Sequence, residues 1–411
     1  MKKNELINAV AIHSGVERKV AKAVIEGTVD VILANVAKGE IVNISGFANH
    51  GSFGAVPREV ARVQQAIRAE MDHNPNLFFR SRLPSMLVEA RATCAAALGV
   101  SGDDLAFVPN ASQGVLAAAA SVVRHGTKIA TMTSNYGGVV LGLRSLARRA
   151  DATLRELSAL PPAQATPLTC VAEIVNQLGD TDVLVIDQIV ATSAQLNPIA
   201  EIAAAVHAVR PECFIVVDAA HVAGQVVPAI PPGIDAWVSN FHKWVAAPSP
   251  SAALVACSAR ARAALEPLAG SWNAERGFPL SFDTQGTADL SSYLATPAAF
   301  EFLSRWPWAE RDAHCRRVVG LAAEMLAEAW GVALPTHPEL RAPNLRIVPL
   351  PGARHLDTAA EDALITAARH HLRAEIAITS PGGVTGVRLS AFLYNEVTDY
   401  ECLIGLPALV H

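Results

Sequence analysis

The chain has 411 residues, of which 51% are hydrophobic and 17% charged, so it can bury a large core and is expected to form two or three domains. Its formal net charge of −5 gives it no overall positive surface for nucleic acid. No apolar run reaches the length of a membrane span, and the start of the sequence lacks the apolar stretch of a signal peptide.

The six cysteines are scattered, without CxxC spacing or a clustered histidine partner. This pattern favours neither structural disulfides nor a zinc site, and it is typical of a reducing compartment. We therefore predict a cytoplasmic protein without a bound metal ion.

The first 47 residues are predicted to form two helices and a strand. Asn4 is placed to cap a first helix, which Gly15 ends. A longer second helix is predicted from about residue 17 to residue 37, with Gly39 at its C-terminal stop. The residues 40–44 then alternate like a strand.

This segment resembles the start of the bacterial HU family of histone-like DNA-binding proteins, through the stretches KKNELINAVA, AKAV and AKGEIVNISGF. The resemblance stops at Phe47, and the basic arm and closing helix of that family do not follow. Basic residues barely outnumber acidic ones in the segment, so binding driven by phosphate contacts has little support. We expect residues 1–47 to be a truncated HU-like unit with a structural or dimer-contact role, and DNA binding is the alternative.

Seven short apolar runs separated by helix-like segments predict a mostly parallel sheet with helices on both faces, the α/β class. The runs are Leu105–Val108, Lys128–Met132, Thr153–Leu157, Val183–Ile189, Cys213–Val217, Ala236–Ser239 and Ala252–Cys257. We assign residues 48–292 to this large domain. Residues 293–411, with long helices and two strand-like runs, Leu345–Pro349 and Gly386–Phe392, are assigned to a smaller α+β domain.

An acid and a lysine follow neighbouring strands of the predicted sheet. Asp218 ends one run, and Lys243 comes shortly after the next. Ligands of such sheets bind at the carboxyl ends of the strands, so we expect both side chains at one site. Pyridoxal 5′-phosphate (PLP) chemistry needs a lysine for the Schiff base and a carboxylate that keeps the pyridine nitrogen protonated.

The stretches around these two residues, VVDAAHVAGQ and DAWVSNFHKW, resemble the class V aminotransferases, which are PLP enzymes of fold type I. The likeness continues over nearly all of the chain after residue 48, and it is closest to the isopenicillin N epimerases and the C–S lyases of ergothioneine biosynthesis. The further motifs, in family order, are NHGSFGAVP, NPNLFFRSRLP, PNASQG, MTSNYGG, IDQIVATSAQLNP, DTQGTADLSSYLATP and VRLSAFLYNEVTD.

The resemblance implies a set of cofactor contacts. Lys243 would carry PLP and move the α-proton, Asp218 would pair with the ring nitrogen, and His221 would lie near the ring hydroxyl or the substrate. The other implied cofactor residues are the backbone of Ala111 and Ser112 for the phosphate, Ser239 and His242 for further phosphate contacts, Tyr136 stacked on the ring, Ser193, and Thr287 from a partner subunit. Helix N-termini bind phosphate, which gives the Ala111–Ser112 assignment a physical basis of its own.

The resemblance also implies substrate contacts. Arg388 matches the arginine that binds the amino-acid carboxylate, and a surface salt bridge is the alternative for it. Further candidates are Asn49, His50 and Ser52 in the entry motif, and Arg80, Arg82 and Arg276, each of which would serve equally in an inter-subunit ion pair. A homodimer with shared active sites and a small amino-acid substrate are therefore expected.

Two departures from the family bear on the reaction. The family's Asp-His pair reads Asp187-Gln188 here, and no cysteine lies between Arg341 and Arg388, where cysteine desulfurases carry their sulfur acceptor. Persulfide relay is therefore not expected, unless Cys315 or Cys402 moves in. Among the reactions that start at the α-carbon, we place an isopenicillin N epimerase-like reaction first, with C–S lysis or transamination as alternatives.

Overall fold

The computed structural model describes residues 46–352 and 356–410, together with residues 17, 19 and 20. The HU-like helices and strand predicted within residues 1–45 lie outside the described residues.

The longer helices are Arg58–His73 (α1), Leu83–Leu98 (α2), Ala111–Val122 (α3), Gly137–Ala150 (α4), Pro167–Leu178 (α5), Ile199–Val209 (α6), Ala259–Ala264 (α7), Ser291–Ser304 (α8), Trp308–Trp330 (α9) and Thr358–Ala367 (α10). The strands are Leu105–Val108 (β1), Lys128–Met132 (β2), Thr153–Leu157 (β3), Val183–Asp187 (β4), Ile189–Val190 (β5), Gln195–Leu196 (β6), Phe214–Asp218 (β7), Ala236–Asn240 (β8), Ala252–Ala256 (β9), Leu345–Pro349 (β10), Ala377–Thr379 (β11) and Gly386–Ser390 (β12).

The predicted mostly parallel seven-stranded sheet is present, in the order β1-β9-β8-β7-β4-β2-β3. Strands β3, β2, β4, β7 and β8 run parallel, and β9 is antiparallel to both of its neighbours. The central strands are buried along their whole length, because helices cover both faces of the sheet. Val183 and Val185 pack on the side of α3 and α4, whereas Leu184 and Ile186 pack on the side of α2 and α6.

The predicted strand Val183–Ile189 is shorter in the structure and ends at Asp187. The Gln188 side chain turns inward, where it donates to the Ala229 carbonyl at 3.0 Å and accepts from Trp237 Nε1 at 2.9 Å. The chain then forms the β5–β6 hairpin, whose turn residue Ala194 has a φ of 54°. The strand end therefore falls at an acidic residue that faces the same edge of the sheet as Asp218.

A smaller antiparallel sheet, in the order β10-β12-β11, packs against α9 and the C-terminal 3-10 segment Val397–Leu409. The run predicted as Gly386–Phe392 pairs only as far as Ser390, because the next residues enter a turn in which Asn395 Oδ1 accepts from the Phe392 amide. No helix within the described part of the chain is both long enough and apolar enough to span a membrane.

The segment just before the entry motif is attached to this smaller sheet. Phe47 forms a parallel bridge with Glu375, and the Ala48 carbonyl accepts from the Ser390 amide at 2.9 Å. Ala48 is buried in the core of the smaller sheet. The predicted division into residues 1–47, 48–292 and 293–411 stays a prediction, and these contacts position the entry motif beside β12.

Candidate active site

Lys243 is held in the wall of a cavity at the carboxyl ends of β7 and β8. Its Nζ lies 3.0 Å from Nε2 of His221, and its neighbours Phe241 and Trp244 are fully buried, which fixes the turn that presents it. Burial, followed by the positive charge of Arg388, lowers the pKa of Lys243 to about 8. A lysine with that pKa carries a substantial unprotonated fraction near neutral pH, which a nucleophilic amine requires.

Asp218 is the last residue of β7, and its carboxyl group is buried. Its Oδ1 accepts from the Ala220 amide at 3.0 Å. Burial raises the pKa of Asp218 to about 6, against the opposing effects of that amide and of the Lys243 charge. The group can therefore be ionised at neutral pH inside a weakly solvated site, where it would attract a protonated ring nitrogen.

His221 follows Asp218 in the turn after β7, and its side chain contacts Lys243. It is buried, and the pKa of its ring is held well below the usual value by burial and then by the charges of Lys243 and Arg388. Its Nδ1 is buried and has no hydrogen-bond partner among the described residues. A neutral imidazole with one nitrogen at Lys243 and the other unpartnered can accept a proton at one nitrogen and donate one from the other.

The N-terminus of α3 faces the same cavity. Asn110 caps the helix by accepting from the Gln113 amide at 2.9 Å. The Ala111 amide is already used, since it donates to Asn240 Oδ1 at 2.8 Å. Of the two predicted phosphate-binding amides, the Ser112 amide is the one without a protein acceptor in the described part of the chain.

Arg388 reaches the cavity from β12 in the smaller sheet. Its Nη1 donates to the Ala191 carbonyl at 2.9 Å, and its Nη2 donates to Asn49 Oδ1 at 3.2 Å and to Ser52 Oγ at 2.7 Å. The guanidinium is buried, and its Nε has no partner among the described residues. Burial lowers the pKa of Arg388 to about 10, so it remains a cation at neutral pH. It makes no salt bridge within the described residues, which leaves its charge available to a carboxylate.

These groups line one cavity of about 750 Å³. The predicted site residues that line it are Ser52, Ala111, Ser112, Tyr136, Asp218, His221, His242, Lys243 and Arg388. Tyr136 stands at the rim with 53% of its surface exposed, and its backbone amide donates to Asp187 Oδ2 at 3.1 Å. The Nδ1 of His242 lies 2.7 Å from the Ser251 carbonyl oxygen and 3.1 Å from the Ser251 amide, and burial lowers the pKa of its ring to about 4.

Other predicted site residues lie behind or beside the cavity. His50 is buried, with Nε2 3.0 Å from the Lys243 carbonyl and Nδ1 2.9 Å from the Tyr394 hydroxyl. Ser239 uses its hydroxyl to donate to the Ala219 carbonyl at 2.6 Å. Ser193 lines a neighbouring cavity of about 400 Å³. His50 therefore supports the turn that carries Lys243, and Ser239 supports the turn after β7 that carries His221; neither residue lines the cavity.

The remaining candidates do not line the cavity. Arg80 and Thr287 are exposed, and Thr287 makes no side-chain hydrogen bond within the described chain. Arg82 pairs with Glu70 at 2.9 Å on the surface. Neither Cys315 nor Cys402 lines the cavity, and all six cysteines are unpaired thiols.

Two residues of the site were not assigned from the sequence. Asp187 ends β4 beside Asp218, but the apolar run predicted there continues to Ile189, so the argument that selected Asp218 did not select Asp187. Asn240 ends β8 and holds the first amide of α3. Its partner lies 129 residues away, so the contact depends on the strand order of the folded sheet.

The site fits PLP. It combines a partly unprotonated lysine, a buried carboxylate for the ring nitrogen, an unpartnered imidazole nitrogen and a helix N-terminus with a free amide for the phosphate. Fold and site together define a PLP-dependent enzyme of fold type I. The family model "Aminotransferase class-V" matches residues 60–403, and the chain belongs to that family. The model "Bacterial DNA-binding protein" matches residues 1–60, which confirms the HU-like resemblance of the start.

Curated relatives of the chain carry names from two reaction types. "Putative L-cysteine desulfhydrase 1" of Oryza sativa subsp. japonica is 28% identical, over 86% of this chain and 81% of the relative. "Isopenicillin N epimerase" of Streptomyces clavuligerus is 27% identical, over 86% of this chain and 92% of the relative. The solved cysteine desulfurase from Thermococcus onnurineus NA1 superposes with a TM-score of 0.73 at 15% identity, covering 92% of this chain and 98% of that one, which shows the shared fold.

Proposed function

We propose that the enzyme is a C–S lyase that eliminates the sulfur substituent from Cβ of a cysteine-type amino acid. The observation that carries the proposal is the Lys243–His221 pair, which places two proton-carrying groups 3.0 Å apart on the cavity wall. The desulfhydrase name of the rice relative supports it. The epimerase-like reaction that we placed first on sequence becomes the second candidate.

The roles of the residues follow from their contacts. Arg388 binds the substrate carboxylate and orients Cα toward Lys243. Asp218 would hold the ring nitrogen of PLP, which would supply an electron sink for Cα once the substrate amine has replaced Lys243 on the cofactor; the freed Lys243 amine could then act as a base. Lys243 would remove the Cα proton, the Cβ–S bond would break with its electron pair on sulfur, and the proton taken up by Lys243 would pass through His221 to the leaving sulfur. Release and reaction with water would then yield a sulfur product, ammonia and, from cysteine itself, pyruvate.

Epimerisation makes a different demand on the site, because a second acid must protonate Cα from the face opposite Lys243. Among the described lining residues, Tyr136 at the rim is the available group for that role. The epimerase relative supports this second candidate. Lysis needs only the Lys243–His221 pair, and we prefer it for that reason.

Product analysis in deuterated water separates the candidates. The holoenzyme is incubated with L-cysteine and S-alkyl cysteines, and keto acid, released sulfur compound and α-deuterium are measured together. Lysis predicts keto acid and sulfur product in equal amounts. Deuterium exchange without keto acid indicates epimerisation, and keto acid with the sulfur atom retained indicates transamination. Either of the last two results refutes the lyase proposal.

Attachment of PLP to Lys243 has its own test. Borohydride reduction of the yellow holoenzyme is expected to abolish the visible band and to leave a stable label on the peptide that contains Lys243. A label on another lysine, or a protein that remains colourless after incubation with PLP, contradicts the assignment.

A homodimer that covers the cavity rim is part of the proposal. Large apolar side chains are exposed near the rim and on the 268–288 loop: Phe53 is 77% exposed and Trp272 is 95% exposed. Thr287 is exposed on the same loop, which agrees with its expected role toward a partner subunit. Sedimentation of wild type and Trp272→Glu tests this, since the variant is expected to shift toward monomer. Unchanged sedimentation as a monomer in both proteins refutes it.

The unpaired thiols support the expected cytoplasmic location.

A further inference from the structure

Two carboxyl groups lie side by side at the floor of the cavity. Asp187 ends β4 and Asp218 ends β7, and the two residues are register partners in adjacent parallel strands. Both are buried and both line the cavity. Register partners in neighbouring parallel strands point to the same side of a sheet, so the two carboxyl groups share one small region.

Only one of the two carboxyl oxygens of Asp187 has a hydrogen-bond partner among the described residues. Its Oδ2 accepts from the Tyr136 amide at 3.1 Å, and its own backbone amide donates to Asn135 Oδ1 at 3.2 Å. Its Oδ1 is buried and has no partner among the described residues. An ionised carboxylate in that position leaves a charged oxygen without a donor, whereas a protonated one becomes a hydrogen-bond donor facing the cavity.

The surroundings of the two carboxyl groups assign the single proton to Asp187. The titratable groups around it are Asp218 on β7, His221 after β7, His242 and Lys243 after β8, Arg388 on β12 and Tyr136 at the start of α4. Burial and then the charge of Asp218 hold the pKa of Asp187 well above its usual value. Each carboxyl group accepts one backbone amide and each is near the charge of Lys243, so the buried Oδ1 of Asp187, which has no partner among the described residues, is the observation that places the proton on Asp187. Two neighbouring buried carboxyl groups that cannot both ionise share one proton.

We propose that Asp187 is a positioning residue that stays protonated in the holoenzyme beside an ionised Asp218. The pair then presents one negative charge and one hydrogen-bond donor to the cavity. One charge balances one protonated ring nitrogen, whereas a second charge would be uncompensated in a weakly solvated site. The inference concerns the protonation of the cofactor site and does not depend on which product the enzyme forms.

Infrared spectroscopy of the holoenzyme tests the proposal directly. Wild-type protein grown with ¹³C-labelled aspartate is compared with unlabelled protein at neutral pH, and the carbonyl stretch of a protonated aspartic acid is followed. We expect an isotope-sensitive band in wild type that is absent from Asp187→Asn. Asp72→Asn, which changes an exposed aspartate, is the matched control and should retain the band. A wild-type spectrum without the band overturns the proposal, and so does a band that survives in Asp187→Asn.

Cofactor affinity gives a second readout. Asparagine keeps the acceptor for the Tyr136 amide and supplies a neutral donor, so Asp187→Asn should bind PLP within about threefold of wild type. Asp218→Asn removes the charged partner and should weaken binding on the order of 100-fold. Equal weakening in both variants shows that Asp187 is also charged and overturns the proposal. If Asp187→Asn does not fold, Asp187→Ala replaces it in the infrared comparison, and the same loss of the band is expected.

Discussion

The Nζ atom of Lys243 lies 3.0 Å from Nε2 of His221, and the opposite ring nitrogen of that histidine is buried without a partner in the described chain. The two residues come from loops that follow adjacent strands, β8 and β7. Since burial and two nearby cations keep the imidazole neutral, it can take a proton from the lysine or return one. Catalytic proton transfer is therefore expected to depend on this contact.

Replacement of His221 tests that dependence. His221→Ala should lower kcat by about 10²- to 10⁴-fold, while the visible band of bound PLP is retained, because Lys243 itself is unchanged. His221→Gln should bind PLP equally well and remain slow, since an amide cannot carry the proton. His73→Ala changes an exposed histidine and should behave like wild type. An unchanged kcat in His221→Ala contradicts the assigned role.

The pKa of Lys243, lowered to about 8, predicts how the apoenzyme captures PLP as pH changes. Capture needs the unprotonated amine, so its rate should rise with pH and reach half of its maximum near pH 8. Arg388→Met removes a neighbouring positive charge, and it should move this midpoint to higher pH. Rapid-mixing absorbance measures both profiles. A wild-type midpoint at the value of an ordinary lysine contradicts the prediction.

The same shift has a consequence for the stability of the apoenzyme. The folded-state pKa of about 8 lies below the ordinary value of 10.5, so between these two values the unfolded chain binds more protons at Lys243. The contribution of this group to the free energy of unfolding should therefore rise with pH through that window. Comparison of denaturation curves for wild type and Lys243→Met, which lacks the titrating group, isolates the effect.

Arg388 is expected to set the affinity for the substrate carboxylate. Arg388→Met should reduce kcat/KM by about 10- to 100-fold, because a hydrogen-bonded charge pair is lost. Arg388→Lys should recover little, since an ammonium group cannot replace the three fixed donor contacts to Ala191, Asn49 and Ser52. Amino-acid amides, which lack the carboxylate, should be equally poor substrates for wild type and Arg388→Met. If Arg388→Met still strongly prefers amino acids over their amides, as wild type does, Arg388 does not have this role.

Asn240 is expected to matter for the cofactor phosphate through the helix that it orients. Asn240→Ala frees the Ala111 amide and loosens the start of α3, so PLP affinity should fall by about fivefold. Asn110→Ala removes the helix cap and should cost about 1 kcal/mol of unfolding free energy. Fluorescence titration with PLP and chemical denaturation measure the two effects. An unchanged PLP affinity in Asn240→Ala contradicts the first prediction, and an unchanged unfolding free energy in Asn110→Ala contradicts the second.

The HU-like start is expected to leave duplex DNA unbound, since residues 1–47 lack the basic arm of that family. An electrophoretic shift assay with the full chain at low salt measures this directly. A shift that weakens steeply with added salt contradicts the expectation and supports the DNA-binding alternative.

The sequence predicted the central part of this site because its residues follow strands. Asp218 and Lys243 end or follow apolar runs of the predicted sheet, and parallel strands bring their carboxyl ends to one edge. The same reasoning did not assign Asp187, because the apolar run continues past it to Ile189 and hides the strand end. The strand ends at Asp187 because the Gln188 side chain hydrogen-bonds to Ala229 and Trp237 in the folded core, and these contacts are not visible in the sequence.

The periodicity of the sequence did not predict which distant segments would contact each other. Arg388 meets Asn49 and Ser52 across more than 300 residues of sequence, and only the family resemblance placed them together. The Ala111 amide was assigned to the phosphate, yet Asn240 occupies it. Such side-chain partners depend on the order of strands in the sheet, which local sequence patterns do not determine.

The attachment of Ala48 between Glu375 and Ser390 determines where the HU-like segment leaves the enzyme. Two residues lie between Gly46 and Asn49, which holds Arg388, and at about 3.5 Å for each of the three steps along the chain the connection spans roughly 10 Å. The HU-like segment is therefore joined to the enzyme within roughly 10 Å of the residue that holds Arg388, and a cut in this short connection would separate the two parts of the chain beside the cavity.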